Sequence, residues 1–158
     1  MAAKKKGSKK RSAKKPARAK KRGGKKAGAK KPAAGGLAAL ARQIVKLTEK
    51  PVFDEELGMA LYAADCVSEE GTGNVARGHA GLREKNAGWA QMQTGASWKA
   101  HHVWLGPKTI CIEWEGVVNM RDGRTVNLRE IAVHEVRSGK IQNERFYYNP
   151  LVLAPPTA

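Results

Sequence analysis

The chain has 158 residues and a formal net charge of +16, and this charge is very unevenly placed. Residues 1–36 contain 16 Lys or Arg and neither Asp nor Glu, whereas residues 37–158 contain 14 basic and 14 acidic residues. This distribution excludes a uniformly basic globular protein. It also limits the folded part to a single domain, since domains usually hold about 100–150 residues.

The basic segment of residues 1–36 is predicted to be disordered on its own. It repeats Ala-Lys-Lys four times and has no apolar side chain larger than Ala except Met1, so it cannot bury enough surface to offset the entropy of ordering. Its composition resembles the Lys/Ala/Pro-rich tails of linker histones and bacterial histone-like proteins. That resemblance implies non-specific, salt-sensitive binding to nucleic acid or another polyanion. A solubilising tail without a selected partner is the alternative.

Cysteine usage and hydropathy indicate where the protein resides. Two cysteines, Cys66 and Cys111, make no disulfide framework and are typical of a reducing compartment. No stretch approaches the roughly 18 apolar residues of a membrane span, and no apolar run of a secretory signal follows the basic start. We expect a soluble, cytoplasmic protein without a membrane partner.

Large apolar residues follow the tail at helical spacing. They are Leu37, Leu40, Ile44 and Leu47. This pattern predicts an amphipathic helix, which Pro51 ends. Asp54 can cap a second helix, predicted to run to about Asp65, and a third helix is predicted from about His79 to Gln93.

The second half of the chain changes to the two-residue alternation of strands. A short strand is expected at 66–70, before the Gly-rich loop 71–73. Asp122-Gly123 and Ser138-Gly139 are strong signals for tight hairpins. The predicted strands are 97–105, 109–120, 124–137 and 140–148. The predicted helices come first in the chain and an antiparallel meander follows. This order predicts an α+β domain over 37–158, with the helices packed on one face of a curved sheet.

Two stretches resemble the nuclear transport factor 2-like superfamily. Residues 61–83 carry a Tyr-Ala-x-Asp…Gly-x-x-x-Leu pattern, and residues 131–149 resemble its closing hairpin, ending Ser-Gly-Lys-Ile-Gln-Asn-Glu-Arg-Phe-Tyr-Tyr-Asn. The nearest branches are the ketosteroid isomerases and the SnoaL-like polyketide cyclases. The resemblance implies a cone-shaped α+β barrel with a pocket between helices and sheet, and a homodimer formed through the outer sheet face. The superfamily includes isomerases, cyclases, dehydratases, hydrolases and non-catalytic binding domains.

The Asp122-Gly123 turn predicts how two strands pair. A two-residue turn places five pairs on one sheet face. They are Asn119–Val126, Val117–Leu128, Glu115–Glu130, Glu113–Ala132 and Cys111–His134. The other face carries Ile112, Trp114 and further apolar residues, and the physical alternative places this apolar face on the helices and leaves the carboxylates in water. The resemblance implies that the Glu-rich face lines the pocket, and that the apolar face, with Val133, is a subunit interface.

The resemblance also implies candidate catalytic residues. Glu70 stands where the isomerases have a general-base Asp, but Ala132 and Gln43 stand where they have the two oxyanion donors. An enolate needs donors where its charge develops, so steroid isomerisation is not expected and cyclase chemistry is in doubt. Glu115 against Glu130 in a dry pocket would force one carboxyl to keep its proton. The predicted acid/base residues are therefore Glu70, Glu115 and Glu130, and at least one is expected to titrate well above about 4.3.

Other residues of the predicted pocket are candidates for ligand binding. They are Glu113, Asn119, His134, His102, Phe146 and Tyr148. A bulged turn at Ser138-Gly139, as the resemblance suggests, directs Glu144, Phe146 and Tyr148 inward. A plain two-residue turn instead directs Arg145 and Tyr147 inward with Ile141.

Two histidine arrangements leave alternatives open. His102 shares the alternation of Trp98 and Trp104, which favours an inward ring, although a core histidine is the commoner case. His134 opposite Cys111 resembles a base and its nucleophile, although a buried thiol beside a histidine is commoner. There is no phosphate-binding loop and no metal-ligand Cys/His spacing, so neither a cofactor nor a metal is expected.

These features predict a protein with a pocket for a small molecule that is polar or carries a carbonyl. Isomerase, lyase or hydrolase chemistry with carboxylates as acid and base is the favoured activity, beside a polyanion-binding tail. The alternative is a non-catalytic binding module that the tail targets to nucleic acid.

Overall fold

The computed structural model describes residues 34–154, so the predictions for the basic tail concern residues almost entirely outside this range. The elements are α1 (Ala34–Thr48), α2 (Glu55–Met59), β1 (Tyr62–Glu69), β2 (Val75–Arg77), α3 (Gly78–Met92), β3 (Gln93–Leu105), β4 (Thr109–Met120), β5 (Thr125–Arg137), β6 (Lys140–Tyr148) and a one-turn 3-10 helix (Pro150–Val152). One six-stranded sheet has the order β2-β1-β6-β5-β4-β3. Only the β1–β6 pair among these strands is parallel. The predicted α+β class, with helices on a curved and mostly antiparallel sheet, is confirmed.

The first helix follows its predicted pattern. Leu37, Leu40, Ile44 and Leu47 are all buried, and the first three belong to the main apolar core with Ile112 of β4. The residues between them are more exposed, apart from the buried Ala41. The helix therefore forms because its apolar stripe packs on the sheet. No helix within residues 34–154 is long and apolar enough to cross a membrane.

The second helix is much shorter than predicted. Asp54 caps it as expected, since its Oδ1 accepts a hydrogen bond from the Leu57 backbone N–H at 3.1 Å. The helix ends at Met59, however, and β1 begins at Tyr62. The prediction that this helix runs to about Asp65 was wrong. The segment forms a strand because it pairs with β6, which is distant in the chain, and the local sequence pattern does not reveal that pairing.

The β4–β5 hairpin differs from its predicted register by one residue. Met120 N–H donates to the Arg124 carbonyl at 2.8 Å, and Gly123 has φ +89°. The loop is therefore a three-residue connection with a left-handed glycine, rather than a two-residue turn. The cross-strand partners are Trp114–Glu130, Ile112–Ala132 and Ile110–His134. A one-residue shift moves every β5 side chain to the other face relative to β4, so the predicted pairing of Glu115 with Glu130 is wrong.

The apolar face of β4 is the inner face. Ile110, Ile112 and Trp114 are 0%, 0% and 3% exposed, and they pack against α1. The predicted subunit interface through Ile112 and Trp114 is therefore wrong, since burying large apolar side chains in the core is strongly favourable. Val133 lies on the outer face, opposite Cys111. A homodimer formed by other outer residues stays a prediction.

Bulges in β3 and β6 decide which residues point inward near each strand's middle. In β3 an irregularity between Ala100 and His102 places His102 opposite Glu113 on the outer face, so its predicted inward ring is wrong. In β6 an irregularity near Gln142 leaves Phe146 opposite Ala132. The expected inward direction of Glu144, Phe146 and Tyr148 is confirmed, although the extra residue lies in the strand and the Ser138-Gly139 turn has two residues.

Candidate functional site

A buried carboxylate, Glu144, is the centre of a polar cluster on the inner sheet face. The residue is 2% exposed, and its carboxylate accepts hydrogen bonds from the Tyr62 hydroxyl at 2.6 Å and the Ser68 hydroxyl at 2.7 Å. Both donors lie on β1, which runs parallel to β6 and pairs Ser68 with Glu144. Burial raises the pKa of Glu144, but the neighbouring His134, Lys85 and Ser68 outweigh it and lower the pKa to about 2. The cluster therefore holds a fixed buried anion.

The cation of the cluster is Lys85, on α3. Leu82 is buried and Trp89 packs on the core, and these two residues lie three before and four after Lys85, so all three share one helix face. The Lys85 ammonium lies 2.8 Å from Glu70 Oε1 and 3.4 Å from Glu144 Oε1. It also donates to Ser68 Oγ at 2.8 Å. With its three N–H groups directed at these oxygens, Lys85 is a fixed positive charge between two carboxylates.

Aromatic side chains of β6 complete this part of the cluster. The Lys85 ammonium lies 4.3 Å from the centroid of the Phe146 ring, which is a cation–π contact. The Tyr148 hydroxyl donates to Glu70 Oε2 at 3.2 Å. Burial and the charge of Glu70 raise the pKa of Tyr148 to about 12. Gly71 lets its loop approach, because a Cβ there would lie 3.3 Å from the Tyr148 ring.

Glu130 differs from the other two inner carboxyls because it has no partner. It is carried by β5 opposite Tyr148, and within residues 34–154 it makes neither a side-chain hydrogen bond nor an ion pair. Burial and the nearby charges of Glu70 and Glu144 raise the pKa of Glu130 to about 7, and Lys85 opposes this rise without cancelling it. One of the predicted carboxyls thus titrates well above its usual range, but the neighbouring carboxylates are Glu70 and Glu144, not Glu115.

The innermost polar residue of β5 is His134. Its side chain is 3% exposed, and its Nδ1 lies 3.4 Å from Glu144 Oε2. Neither ring nitrogen makes a hydrogen bond within the described part of the chain. The ring packs edge-on against Phe146, with the centroids 6.5 Å apart.

The surface of residues 34–154 includes a small and a large cavity. One of about 170 Å³ opens beside Glu70 and Phe146, between the loop after β1 and the end of β6. A larger groove of about 800 Å³ runs between α1 and the end of β3, where Val45, Pro51 and Leu105 line it. None of its lining residues belongs to the polar cluster. Of these two, the smaller cavity is therefore the one that touches the cluster, at Glu70 and Phe146.

Four predicted site residues lie outside this cluster, on the outer sheet face. Glu115 Oε2 lies 2.6 Å from His101 Nε2, which lowers the pKa of Glu115. Glu113 Oε2 lies 2.7 Å from His102 Nδ1. Asn119 is exposed and accepts a hydrogen bond from a threonine hydroxyl of β5. The predicted pocket positions of Glu113, Glu115, Asn119 and His102 are wrong, because the three-residue loop and the β3 bulge reverse the faces.

The suggested nucleophile pair is also separated. Cys111 lies on the outer face opposite Val133, while His134 points inward. Within residues 34–154, no three His, Cys, Asp or Glu side chains are grouped to hold a metal ion. The cluster instead offers a buried anion, a fixed cation and one unpaired carboxyl, which are components of acid/base chemistry.

The sequence interpretation did not name four members of the cluster as site residues: Tyr62, Ser68, Lys85 and Glu144, of which only Glu144 was expected to point inward. A lysine on the buried face of α3 was the available signal for Lys85, since charged residues rarely occupy such positions without a partner. Tyr62 and Ser68 gave no usable signal, because this segment was interpreted in part as helix and its parallel pairing with β6 is non-local.

Comparison with solved structures shows that other proteins share this fold. A putative SnoaL-like polyketide cyclase from Jannaschia sp. CCS1 is 11% identical, with a TM-score of 0.66 over 75% of this chain and 94% of that one. A second one, from Mesorhizobium loti, is 22% identical, with a TM-score of 0.58 over 71% and 98%. An LEH-like epoxide hydrolase from M. tuberculosis is 17% identical, with a TM-score of 0.61 over 75% and 86%. At these identities the likeness shows the fold alone.

The family follows from the sequence match. Residues 53–144, more than half of the chain, match the model of the SnoaL-like domain, and the chain belongs to that family. No curated protein sequence matches the chain.

Proposed function

We propose that this protein binds a small molecule against the inner sheet face and transfers a proton with the carboxyl of Glu130. The observation that carries the proposal is the contrast between three neighbouring carboxyls. Glu70 and Glu144 are held by Lys85, whereas Glu130 has no hydrogen-bond or ion-pair partner among residues 34–154, and its pKa is raised to about 7. A general acid/base is most effective when its pKa lies near the working pH.

The substrate class in this proposal is a carbonyl compound with an acidic neighbouring C–H bond. The Glu130 carboxylate takes the proton from carbon, and negative charge develops on the carbonyl oxygen. The Lys85 ammonium, fixed in advance, stabilises that charge electrostatically. Glu130 then returns the proton to a different atom, or a leaving group departs, which gives an isomerase or a lyase.

Glu70 receives a different role from the one predicted from sequence. Its two oxygens are engaged by Lys85 at 2.8 Å and Tyr148 at 3.2 Å. A base must have a free lone pair directed at the substrate, and Glu130 meets this requirement better. Glu70 is therefore proposed to position Lys85 rather than to accept the proton.

Hydrolase chemistry is the second reaction type that the same carboxyl and cation could support. One solved structure of similar fold is described as an LEH-like epoxide hydrolase.

Deuterium exchange tests the proposal without knowledge of the natural substrate. A panel of small ketones and aldehydes is incubated with the protein in D₂O, and loss of the α-proton signal is followed by NMR. We expect faster exchange with the wild type than with Glu130→Gln by about 10²-fold or more for the best compound. The rate should rise as the pH passes 7, since the base form is then populated.

Glu115→Gln is the matched control, because Glu115 is a carboxylate on the outer face of the same sheet. It should leave the exchange rate unchanged. If no compound exchanges faster with the wild type than with Glu130→Gln, the catalytic proposal fails and the non-catalytic binding module replaces it.

The tail remains part of the proposed function. We propose that residues 1–36, with 16 cationic side chains and no anionic ones, bind nucleic acid or another polyanion. In the alternative function this binding is the main activity and the domain only binds its ligand.

A further inference from the structure

The large groove between α1 and the end of β3, here called the α1–β3 groove, is separate from the polar cluster. Its volume of about 800 Å³ lies in the range of small-molecule sites, roughly 300–1,000 Å³. Apolar side chains form its walls: Ala38, Ala41, Val45, Pro51, Val103 and Leu105. The groove is therefore large enough, and apolar enough, to hold the hydrocarbon part of a ligand.

The fold leaves this apolar surface open. The main stripe of α1 is buried on the sheet, but Val45 lies at its margin and is only partly buried. Strand β3 is the last strand of the sheet, so Val103 and Leu105 have a neighbouring strand on one side only. They are 41% and 47% exposed. Exposed apolar surface of this kind is typical of a binding site.

The rim of the groove is positively charged. Arg42, Lys46 and Lys50 line it at intervals of four residues, and none of them pairs with a carboxylate within residues 34–154. Among the lining residues Glu49 is the single acidic one. Its Oε1 accepts a hydrogen bond from the Ala100 backbone N–H at 2.9 Å, where β3 is irregular. The groove therefore presents three cations against one carboxylate that is engaged by the strand.

Two of these cations can hold one anionic group. Arg42 and Lys46 are one turn apart on α1, which places their Cβ atoms about 5–6 Å from each other. Both side chains are exposed, and Val45 lies beside Lys46 on the wall of the groove. A carboxylate between Arg42 and Lys46 would thus have the apolar walls next to it.

We propose that the α1–β3 groove binds a single-chain alkyl carboxylate, a compound of the fatty-acid class. The carboxylate pairs with Arg42 and Lys46, and the alkyl chain lies against Val45, Val103 and Leu105. Removal of the chain from water stabilises the complex, and the rim selects the sign of the charged group. This site stands apart from the proton-transfer site and does not depend on it.

Other ligand classes match the groove less well. An alkylammonium compound has the same hydrocarbon part, but the cationic rim repels its charged group. A nucleic acid would satisfy the cations, but none of the lining residues is aromatic, so its bases would have no ring to stack on.

Three probes separate the contribution of the chain from that of the charge. They are decanoate, decylammonium and acetate, added to the full chain at pH 7.5. The methyl NMR signals of Val45, Val103 and Leu105 report binding at the groove itself, so ions held by the basic tail do not interfere. Decanoate should shift these signals saturably and bind at least tenfold more tightly than decylammonium. Acetate at the same concentrations should leave them unchanged, because it has no chain to bury.

Charge variants with matched controls test the rim. Arg42→Gln combined with Lys46→Gln should weaken decanoate binding at least threefold, since exposed ion pairs contribute modestly. Lys99→Gln combined with Arg129→Gln removes the same charge from the outer sheet face, where both residues flank Glu115. This control should bind decanoate like the wild type.

A second pair of variants tests the apolar wall. Val103→Ser should weaken decanoate binding about threefold, because it removes apolar contact surface. Val117→Ser is its control, since Val117 is exposed to a similar extent, 39%, on the outer face. It should leave the affinity unchanged.

The inference is overturned if decanoate leaves the three groove methyl signals unchanged, or if decylammonium or acetate binds as tightly. It is also overturned if the Arg42→Gln, Lys46→Gln variant keeps the affinity of its control. Shifts of the same signals with protein concentration alone would show that a second copy of the chain occupies the groove, which would likewise overturn it. Glu130-dependent proton exchange is measured at another site, so none of these outcomes decides the proposed function.

Discussion

At the scale of single residues, the site depends on one lysine shared by two carboxylates. Lys85 touches Glu70, Glu144 and Ser68, and its position on α3 is set by the buried Leu82 on the same helix face. Sequence alone predicted Glu70, Glu130, His134, Phe146 and Tyr148 as site residues. It could not predict which carboxyl remains unpaired, because that depends on contacts between side chains far apart in the chain.

Replacement of Lys85 by methionine should destabilise the fold strongly. The substitution keeps the length of the side chain but leaves the buried Glu144 without its ammonium, and breaking a buried pair costs about 3–5 kcal/mol. Arg83→Met is the matched control, since Arg83 lies on the same helix and pairs with the half-buried Glu55 and the exposed Glu56. Arg83→Met should lower the free energy of unfolding by no more than about 1 kcal/mol. Urea unfolding at pH 7 measures the free energy of unfolding of both variants, and an equal decrease in the two would contradict the account.

At the scale of elements, two hairpin details decide which side chains reach the site. The period of α1 and the alternation of β4–β6 could be predicted from local sequence, because each element has one buried face. The number of residues in the loop at Asp122-Gly123 could not, since two-residue and three-residue loops both accept Asp-Gly. One residue of difference moved Glu113 and Glu115 from the predicted pocket to the outer face.

The contact between β3 and β4 gives a prediction at this scale. Gly116 lies under the Trp98 ring, and a Cβ there would be 2.7 Å from it, too close for the ring to stay. Trp98 packs edge-on against Trp114, with centroids 6.5 Å apart. Gly116→Ala should therefore lower the free energy of unfolding by about 1–3 kcal/mol, because the added methyl group displaces the tryptophan ring.

Gly95→Ala is the control for this substitution, because Gly95 lies on the neighbouring strand β3 with nothing within 4 Å of an added Cβ. Its stability should stay within about 0.5 kcal/mol of the wild type. Urea unfolding followed by tryptophan fluorescence reports both stability and the position of Trp98. A Gly116→Ala variant as stable as Gly95→Ala would show that the close packing of Trp98 is not required.

At the scale of the whole molecule, the basic tail and the SnoaL-like domain are predicted to act separately. The helix α1 begins at Ala34, so a deletion of residues 1–33 spares it. This deletion should leave the melting temperature almost unchanged and abolish binding to duplex DNA. For the full chain, the logarithm of the DNA-binding constant should fall as the logarithm of the salt concentration rises. The slope should be at most about 14 in magnitude, because the tail has 16 cations. Tight DNA binding by the truncated chain would contradict the separation.

The second prediction at this scale concerns assembly. The outer sheet face exposes apolar side chains, including Val117 at 39% and Tyr147 at 55%, and exposed apolar patches favour association. We predict a homodimer through this face, centred near Val133. Val133→Glu should give a monomer by light scattering, whereas Val103→Glu, an exposed valine on the other side of the sheet, should remain dimeric. A wild type that is monomeric at high concentration would contradict this prediction.

The central claim is that Glu130 is the proton-transfer group of the site, and its titration tests that claim most directly. The full chain is labelled with ¹³C at the side-chain carboxyls of glutamate, and the Glu130 signal is assigned by its absence in Glu130→Gln. Because burial and neighbouring charge raise its pKa, the signal should titrate with a midpoint near 7, and Glu115, beside His101, should titrate below the usual range. A Glu130 midpoint near 4.5 would show a solvated surface carboxylate and would contradict the account.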